Sequence, residues 1–371
     1  MRLIYLSPVP WKSFSQRPHE LVRYFHSFTE GEVLWVDPYP GRFPALSDVL
    51  SQRPESGGMD CDVPAWLTVV KPKAVPIEPL PFSGTVNGLL WGDVGLAVNR
   101  FADNSTILGI GKPTVLALHL LAKQCFSASF YDAMDDYPAF YKGWSRLAMA
   151  NRERRIISKV STLLASSSAL QERLRHLAHD VRLVPNACAA ERLPALPKGR
   201  QRMNDQIPVI GYVGTIGQWF DWELVIALAK SNPNTVIRLI GPLYVRPPAL
   251  PHNICLEPPL PHSEALHAMS RFDVGLIPFK RSTLTASVDP IKFYEYRALG
   301  LPVVSSAFGE MALRKECEGV YLIDRNSDMI KVVGQALSNC PTPENTARFR
   351  KDNSWENRFS EGRIFASGYR S

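Results

Sequence analysis

Short apolar runs alternate with amphipathic stretches along the first half of this chain. The amphipathic stretches carry an apolar residue every three or four positions, which predicts helices at 17–28, 114–124, 144–158 and 168–178. The apolar runs between them predict strands at 2–7, 32–37, 106–110, 128–136, 162–166 and 181–186. Strands and helices in alternation are typical of a parallel sheet covered by helices.

The second half repeats this alternation. Strands are predicted at 208–214, 235–241, 254–258, 274–279 and 302–306. Helices are predicted at 221–230, 263–272 and 290–299, and residues 309–338 add a further helix, strand and helix. The sequence therefore predicts an α/β fold with two Rossmann-like, doubly wound parallel-sheet domains.

The change of pattern between the two halves gives the domain bounds. We expect an N-terminal domain over 1–186, a linker over the irregular stretch 187–206, and a C-terminal domain over 207–353. Residues 354–371 are expected to form a helix that packs back toward the N-terminal domain. Residues 40–100 are mostly Pro-rich and carry no periodic pattern.

Composition excludes several classes of protein. The chain has 371 residues, of which 45% are hydrophobic and 21% charged, as in globular proteins of two ordinary domains. Apolar runs stay shorter than the roughly 18–20 residues of a membrane-spanning helix, and the N-terminus lacks a signal-peptide pattern. The six cysteines are scattered without a CxxC pair, so we expect reduced core residues in a cytoplasmic protein.

The net charge of +7 is unevenly distributed. Residues 141–182 hold nine Lys or Arg against three acidic residues. Such a stretch binds phosphate groups on nucleic acid or on an anionic membrane surface, or it is simply a solvated helix face. No helix-turn-helix, zinc-finger or RNP pattern accompanies the charge, so we expect no nucleic acid partner.

The stretch SVDPIKFYEYRALGLPVVSS, residues 287–306, has the start and stop signals of a short helix. Asp289 is predicted to cap this helix, and Pro290 is predicted to take its first position. Gly300 is predicted to end it in the left-handed conformation, and Pro302 prevents its continuation.

Lys292 and Glu295 fall on one face of this helix. In a doubly wound sheet, ligands bind outside the carboxyl ends of the strands, where helices begin. Free amide N–H groups at a helix start bind anions such as a diphosphate, and Lys292 would add a positive charge. The Glu295 carboxylate has the shape to accept two hydrogen bonds from a vicinal diol such as a ribose. The alternative is an internal Lys–Glu pair on an ordinary surface helix.

A glycine-containing turn, GYVGTIG at 211–217, follows the first strand of the second half. Glycines at such a turn let a ligand approach the backbone closely. The spacing is not GxGxxG, so a dinucleotide site for hydride transfer is not indicated.

Several stretches, in this order, resemble one known family. They are SPVPWKSFSQRPHELVRYF, YDAMDDYPAFY, VPNA, IGYVGTIGQWFDWELV, RLIGP, LPHSEALHAMSRFDVGLIPF and DPIKFYEYRALGLPVVSS. Together they resemble GT-B glycosyltransferases of the bacterial family-4 type, which build exopolysaccharide, capsule or teichuronic-type chains. The Lys-x-x-Glu at 292–295 is also similar to the Lys-x-x-Gln of the xanthan-type glucuronosyltransferase.

The resemblance implies two domains that face each other across a cleft, with a nucleotide diphosphate sugar held by the C-terminal domain. It places Glu295 on the donor ribose and Lys292 on the diphosphate. It places Gly214 and Thr215 by the phosphates or the transferred sugar, and Pro278 with Phe279 beside the nucleobase. Retaining members carry a Glu-x7-Glu pair, but Ser287 occupies the first position here, which leaves retention or inversion open.

An inverting transfer needs a carboxylate that takes the proton of the acceptor hydroxyl. Asp132, Asp135 and Asp136 end a predicted strand, and crowding among them would raise the pKa of one member. Asp135 or Asp136 is the candidate base. The alternative is a helix cap with an ion pair to 152–155. The D-x-x-D-D spacing does not favour a metal, so we expect a metal-independent enzyme without a cofactor.

The loop and helix after the first strand supply candidate acceptor contacts. These are Trp11, which could stack on a sugar, and Gln16 with Arg17 at the start of the predicted helix. His19 is a candidate acceptor contact or base. The alternatives are a buried Trp11 and a His19 without a catalytic role.

The leading hypothesis is a glycosyltransferase that acts on a lipid-linked saccharide at the inner face of the cell membrane, with 141–182 docked on anionic lipid. One alternative is a nucleotide-sugar epimerase or phosphorylase on the same scaffold. Another is a GT-B subunit that has lost its activity and serves as a binding module.

Overall fold

The computed structural model describes residues 1–39, 63–75, 83–123, 126–195, 206–315, 318–339 and 341–365. The chain divides into two compact units, which we call unit 1 and unit 2. Unit 1 contains Met1–Pro185 and the chain from Phe359 onward, and unit 2 contains Asn186–Arg358. Within unit 1, Phe365 of the returning segment packs against Phe25 and Phe130.

The strands described in unit 1 are β1 (Arg2–Leu6), β2 (Glu32–Val36), β3 (Leu67–Val70), β4 (Thr106–Ile110), β5 (Ala128–Ala133), β6 (Thr162–Ala165) and β7 (Val181–Leu183). Its helices are α1 (Arg17–Thr29), α2 (Ser83–Leu90), α3 (Gly92–Phe101), α4 (Val115–Lys123), α5 (Gly143–Ile157) and α6 (Ser168–Arg175). A 3-10 helix lies at Tyr137–Phe140. The strands form one parallel sheet in the order β3-β2-β1-β4-β5-β6-β7.

The strands described in unit 2 are β8 (Val209–Val213), β9 (Val236–Ile240), β10 (Ile254–Glu257), β11 (Val274–Ile277), β12 (Val303–Ser306) and β13 (Val320–Ile323). Its helices are α7 (Trp222–Ser231), α8 (His262–Met269), α9 (Ile291–Ala298), α10 (Met329–Ser338) and α11 (Pro343–Asp352), with α12 (Trp355–Glu361) at the return to unit 1. The strands form a parallel sheet in the order β10-β9-β8-β11-β12-β13. The predicted α/β fold with two doubly wound parallel sheets is therefore confirmed.

The central strands are apolar on both faces because helices cover both faces of each sheet. Leu3 of β1 lies between Val33 and Ile107 in the register of the sheet, and all three are fully buried. Strands of this kind are the ones that the sequence pattern predicts to within one to three residues at each end.

The pattern does not predict β3, α2, α3 or α11. Strand β3 lies at an edge and is half exposed, so it lacks a continuous apolar run. Helices α2 and α3 lie in the Pro-rich stretch, and most of its remaining residues are outside the described ranges. Helix α11, PENTARFRKD, buries Thr346 as its one buried residue and therefore shows no apolar stripe.

The strand order reverses between β1 and β4 in unit 1 and between β8 and β11 in unit 2. The connections leave such a point toward opposite sides, and the crevice outside the carboxyl ends of the two strands is where ligands bind in open α/β sheets. Each unit therefore has one candidate ligand-binding edge, at the carboxyl ends of its central strands. Among the described helices, none has the length and apolar character that crossing a membrane requires.

Candidate functional site

The carboxyl ends of β8 and β11 define the candidate site of unit 2. Gly214 and Thr215 follow β8, and Pro278 and Phe279 follow β11. Helix α9 follows the loop after β11, so it begins at this edge of the sheet. The hydroxyl of Tyr296 in α9 accepts a hydrogen bond of 3.1 Å from the backbone N–H of Val213. This bond fixes α9 beside the turn that contains Gly214.

The start of α9 has no side-chain cap. Pro290 is the residue before the first helical position, and among the described residues no side chain accepts a hydrogen bond from a backbone N–H of the first turn. The prediction that Asp289 caps the helix is therefore wrong, and Pro290 lies one position earlier than predicted. Uncapped N–H groups and the positive end of the helix dipole attract an anion. Gly300 does end the helix region with a φ of 74°, in the predicted left-handed conformation.

Lys292 and Glu295 form an ion pair with each other. The Lys292 Nζ atom donates to Glu295 Oε2 at 2.6 Å, with the side chains 25% and 9% exposed. Burial and the nearby Glu295 carboxylate together raise the pKa of the Cys188 thiol to about 12. A ligand that gives Lys292 a diphosphate and Glu295 two hydroxyl donors would replace this internal pair without leaving either group unpaired.

Gly214 and Gly241 make a close backbone contact at the same edge. Gly241 follows β9 with a φ of 145°, and a Cβ atom on it would lie 2.1 Å from the Gly214 carbonyl oxygen. Gly214 donates its N–H to the Ile240 carbonyl at 2.9 Å. The path of the turn after β8 therefore depends on the absence of a side chain at residue 241.

We expect Gly241→Ala to destabilise unit 2 and to weaken ligand binding at this edge. The left-handed φ alone costs about 1–3 kcal/mol for a residue with a side chain, and the new methyl group also displaces Gly214. Urea unfolding and a nucleotide-induced thermal shift measure the two effects. Gly334→Ala in α10 is the matched control, because its Cβ would meet no atom within 4 Å and a helical alanine is favoured. Equal stability of both variants would contradict the proposed role of the contact.

The remaining donor-side candidates differ in exposure. Thr215 is half-buried, and its side-chain hydroxyl forms no hydrogen bond with a described residue. Pro278 is buried, and its carbonyl accepts from the Asp221 N–H at 2.8 Å. Phe279 is half-buried and packs against Phe308 with ring centroids 5.0 Å apart. All three lie at the predicted edge, and their binding roles stay predictions.

Asp289 anchors the loop before α9 through a buried network. Its carboxylate accepts from the Asn186 N–H and the Tyr294 hydroxyl at 2.8 Å each, and from Arg314 at 3.1 Å. Arg314 lies over the Phe293 ring at 3.5 Å. Burial raises the pKa of Asp289, although Arg314 opposes this shift. The network holds the loop that leads into the uncapped helix start.

In unit 1, the candidate site lies where β5 ends. The Asp135 carboxyl is half-buried and has no hydrogen bond or ion pair with a described residue. Burial, with a contribution from neighbouring Asp136, raises its pKa from 3.8 to about 6. Tyr137 donates from its hydroxyl to the Gly111 carbonyl at 2.7 Å, which ties this loop to the end of β4. Asp135 therefore lies at the carboxyl edge of the sheet, near the reversal of strand order.

Asp136 is held differently. Its Oδ1 atom lies 3.7 Å from Nε of Arg173, and Arg173 also makes hydrogen bonds of 2.7 and 3.0 Å with Glu153. The alternative of an ion pair with 152–155 is therefore wrong in its partner, because the cation comes from α6. Among the described residues no cation pairs with Asp135, so Asp135 fits the role of a base better than Asp136.

Asp132 and Arg17 form a buried ion pair. Arg17 reaches both Asp132 oxygens, at 2.7 to 3.1 Å, and donates to the Val184 carbonyl at 2.6 Å. Their side chains are 3% and 0% exposed. Arg17 thus connects α1, β5 and the end of unit 1, and an acceptor could reach it only if this pair opened.

His19 and Trp11 are also internal. His19 Nδ1 accepts from the Gln16 N–H at 3.2 Å, so its Nε2 donates to the Trp11 carbonyl at 3.1 Å. Both ring nitrogens are therefore occupied, which does not favour His19 as a base. Trp11 is 2% exposed and packs edge-on against Trp35, so it offers no ring face to a sugar here. Gln16, at the start of α1, is half-buried.

The basic stretch at 141–182 is not one surface. Arg152 is buried, and Arg173 is paired with Glu153. Lys142, Arg146 and Arg154 are exposed on α5 or just before it. No group of three or more His, Cys, Asp or Glu side chains suited to a metal ion lies in the described ranges.

Sequence reasoning missed Tyr296, Tyr137 and Arg314. Tyr296 and Tyr137 directly follow predicted site residues, whereas Arg314 lies 19 residues after Glu295. Each forms a hydrogen bond with a distant segment of the chain. The position of a tyrosine in a helical pattern does not predict which distant group its hydroxyl contacts. Tyr137 has one weak signal, its position directly after Asp135 and Asp136.

No protein-family model matches the chain. A curated relative, TuaH of Bacillus subtilis strain 168, is 26% identical over 232 residues, which are 55% of this chain and 58% of TuaH. TuaH has a provisional assignment as a teichuronic acid biosynthesis glycosyltransferase. The chain thus spans little more than half the length of this relative.

Solved structures match nearly the whole chain. Sucrose-phosphate synthase (tll1590) from Thermosynechococcus elongatus matches with a TM-score of 0.71 and 13% identity over 98% of both chains. Anabaena HepE in complex with UDP-glucose gives 0.65 and 15%, over 99% of this chain and all of HepE. The lipopolysaccharide outer core galactosyltransferase WaaB gives 0.61 and 13%, over 99% of each chain. The predicted GT-B fold and the resemblance to GT-B glycosyltransferases are confirmed.

Proposed function

We propose that this GT-B chain is a glycosyltransferase that moves a sugar from a nucleotide diphosphate sugar to a saccharide acceptor in bacterial surface polysaccharide synthesis. The observation that carries the proposal is the start of α9, which has no side-chain cap. Lys292 and Glu295 lie in this helix, beside the turn where Gly214 and Thr215 follow β8. Homology to TuaH supports the acceptor class.

The donor is proposed to bind to unit 2. Its diphosphate accepts hydrogen bonds from the first turn of α9 and from Lys292, while Glu295 accepts from the two ribose hydroxyls. The helix start and Lys292 together neutralise charge on the leaving diphosphate, a task that a metal ion performs in other enzymes. HepE was solved with UDP-glucose, so UDP-sugars are the first donors to test.

Asp135 is proposed to be the general base. Its ionised carboxylate takes the proton from the acceptor hydroxyl while that oxygen forms a bond with the anomeric carbon. The bond from the anomeric carbon to the diphosphate oxygen breaks at the same time, and its electron pair leaves with the nucleoside diphosphate. This displacement inverts the anomeric configuration, which nuclear magnetic resonance of the product measures directly.

Glu295→Gln is expected to weaken binding of both UDP and UDP-glucose by about 10- to 100-fold, because charge-assisted hydrogen bonds contribute about 1.5–3 kcal/mol. Equal weakening for the two ligands is expected, since ribose is common to both. Isothermal titration calorimetry on the full chain measures the dissociation constants.

The matched control is Glu264→Gln, which removes an exposed carboxylate from the first turn of α8 in the same unit. It should leave both affinities unchanged. Wild-type affinity in Glu295→Gln would contradict the ribose assignment. Normal nucleotide binding without transfer to any saccharide would instead favour a binding module.

The acceptor is proposed to be a lipid-linked saccharide, and the enzyme is proposed to act at the inner face of the cell membrane. The exposed cations of the 141–182 stretch, Lys142, Arg146 and Arg154, support this placement, because anionic lipid attracts clustered Lys and Arg.

A further inference from the structure

Helix α5 begins with a surface that is both apolar and basic. Phe140 is 54% exposed, Trp144 is 87% exposed and Leu147 is 63% exposed. Trp144 and Leu147 are three residues apart, so they lie on one side of the helix. Lys142, between Phe140 and Trp144 in the chain, and Arg146, between Trp144 and Leu147, are exposed as well. We call these five residues the α5 patch.

The fold does not need the apolar side chains of this patch. The opposite side of α5 is packed into the core of unit 1 through Met149, Ile156 and Ile157, which are 0–5% exposed. Trp144 and Leu147 therefore contribute little to the folded unit, yet they keep a large apolar area in water. An exposed apolar cluster on a monomer indicates an interaction surface.

The charges of this helix favour an anionic partner. Lys142 and Arg146 form no ion pair with a described residue, and neither do Arg154 and Arg155 further along α5. The one acidic residue of the helix, Glu153, is buried and bound by Arg173. The exposed part of α5 thus presents cations that no carboxylate of the described chain neutralises.

The α5 patch lies at the edge of the sheet that carries the candidate base. Asp135 is the second residue after β5, and the 3-10 helix Tyr137–Phe140 lies between Asp135 and α5. The Tyr137 hydroxyl fixes this connection to Gly111, at the end of β4. Phe140 and Trp144 are five and nine residues from Asp135 in the chain.

We infer that the α5 patch binds an anionic phospholipid surface. Phe140, Trp144 and Leu147 enter the boundary between headgroups and acyl chains, and Lys142 with Arg146 binds lipid phosphates. The inference rests on the proposed function, because a lipid-linked acceptor would then be held in the surface next to Asp135. It narrows the lipid-binding cations of the basic stretch to Lys142 and Arg146, and it adds an apolar contribution to binding that salt does not screen.

Flotation of the full chain with vesicles tests the inference. Vesicles of phosphatidylglycerol and phosphatidylcholine are compared with vesicles of phosphatidylcholine alone. Trp144→Ser combined with Leu147→Ser should lower the partition coefficient about tenfold or more at every salt concentration. Lys142→Gln combined with Arg146→Gln should lower it at low salt and flatten its salt dependence. Ile330→Ser, on α10 of unit 2, is the control, because Ile330 is 65% exposed; it should change nothing.

The outcomes separate this inference from the proposed function. UDP-glucose binding and transfer to a soluble saccharide are measured in the same preparations and should be the same in wild type and in all patch variants. If the variant with serine at positions 144 and 147 floats with vesicles as well as the wild type does, the inference is overturned, but the proposed transferase function is not. Loss of a dimer in size-exclusion chromatography, without any vesicle binding, would overturn it in favour of a second copy of the chain. Failure of the wild type to bind any UDP-, GDP- or ADP-sugar would overturn the proposed function.

Discussion

Asp135→Asn should reduce the rate of sugar transfer by about 10²–10⁴-fold, because it removes the proposed general base without changing the shape of the side chain. Nucleotide-sugar affinity should remain at the wild-type value, since the donor is proposed to bind to unit 2. Asp136→Asn is the matched control, because Arg173 already binds that carboxylate; its rate should fall far less. Full activity in Asp135→Asn, or a parallel loss of donor affinity, would contradict the assignment.

The pH dependence of the wild type gives a second test of Asp135. Burial raises the pKa of this carboxyl to about 6, and the base acts only when ionised. The transfer rate should therefore rise with pH and reach half of its maximum near pH 6. This limb should be absent from the residual activity of Asp135→Asn.

The raised pKa of Asp135 also affects stability: the transfer rate should rise with pH, whereas the stability that this group contributes should fall with pH. In the folded chain the pKa of Asp135 is about 6, above its ordinary value of 3.8. The contribution of this group to stability is thus fully present below pH 3.8 and is lost as pH rises through about 6. Asp135→Asn should accordingly unfold at a higher temperature than wild type at pH 8, and at about the same temperature near pH 4. Higher stability together with a strongly reduced transfer rate is the result expected if Asp135 is a base whose burial costs stability.

Asp132→Asn should destabilise unit 1 by about 3–5 kcal/mol, because it removes the carboxylate charge that balances the Arg17 guanidinium inside the protein. Arg17 and Asp132 are 3% and 0% exposed at their side chains, so water does not replace the lost partner. Urea unfolding, followed by circular dichroism, measures the change in the midpoint of the unit 1 transition.

Two further variants make the interpretation specific. Arg17→Met combined with Asp132→Asn removes both charges and should recover part of the lost stability. Asp352→Asn breaks the exposed pair with Arg348, whose side chains are 56% and 83% exposed, and should cost less than about 1 kcal/mol. A stability of Asp132→Asn equal to that of Asp352→Asn would show that the pair is open in solution, and Arg17 would then be available for an acceptor.

The sequence predicted the interior elements of both sheets because a buried parallel strand has a signature of its own. Strand β4 was predicted at the observed bounds, and β1 to within one residue. Both are apolar runs covered on two faces, so the pattern and the burial have one cause. Edge strand β3 and the polar helix α11 are not buried in this way, so the sequence pattern did not predict them.

The sequence also predicted where the candidate site residues of each unit lie. Lys292 and Glu295 were placed on one helix face by their spacing, and Asp135 was placed at a strand end. These are local properties, decided by helix period and strand length. In the structure, Asp135 follows β5 and α9 follows β11, and each of these strands lies at or next to the point where the strand order of its sheet reverses.

Only the tertiary structure decided between residues of the same type. Asp132, Asp135 and Asp136 are equivalent in sequence, yet the first is bound by Arg17, the third faces Arg173, and the second has no partner among the described residues. Their cations come from α1 and α6, far away in the chain. Sequence spacing determines which side chains lie on the same face of one element. The pairing of charges from separate elements depends on how those elements pack. That packing is set by the order of strands in the sheet and by the burial of side chains on folding.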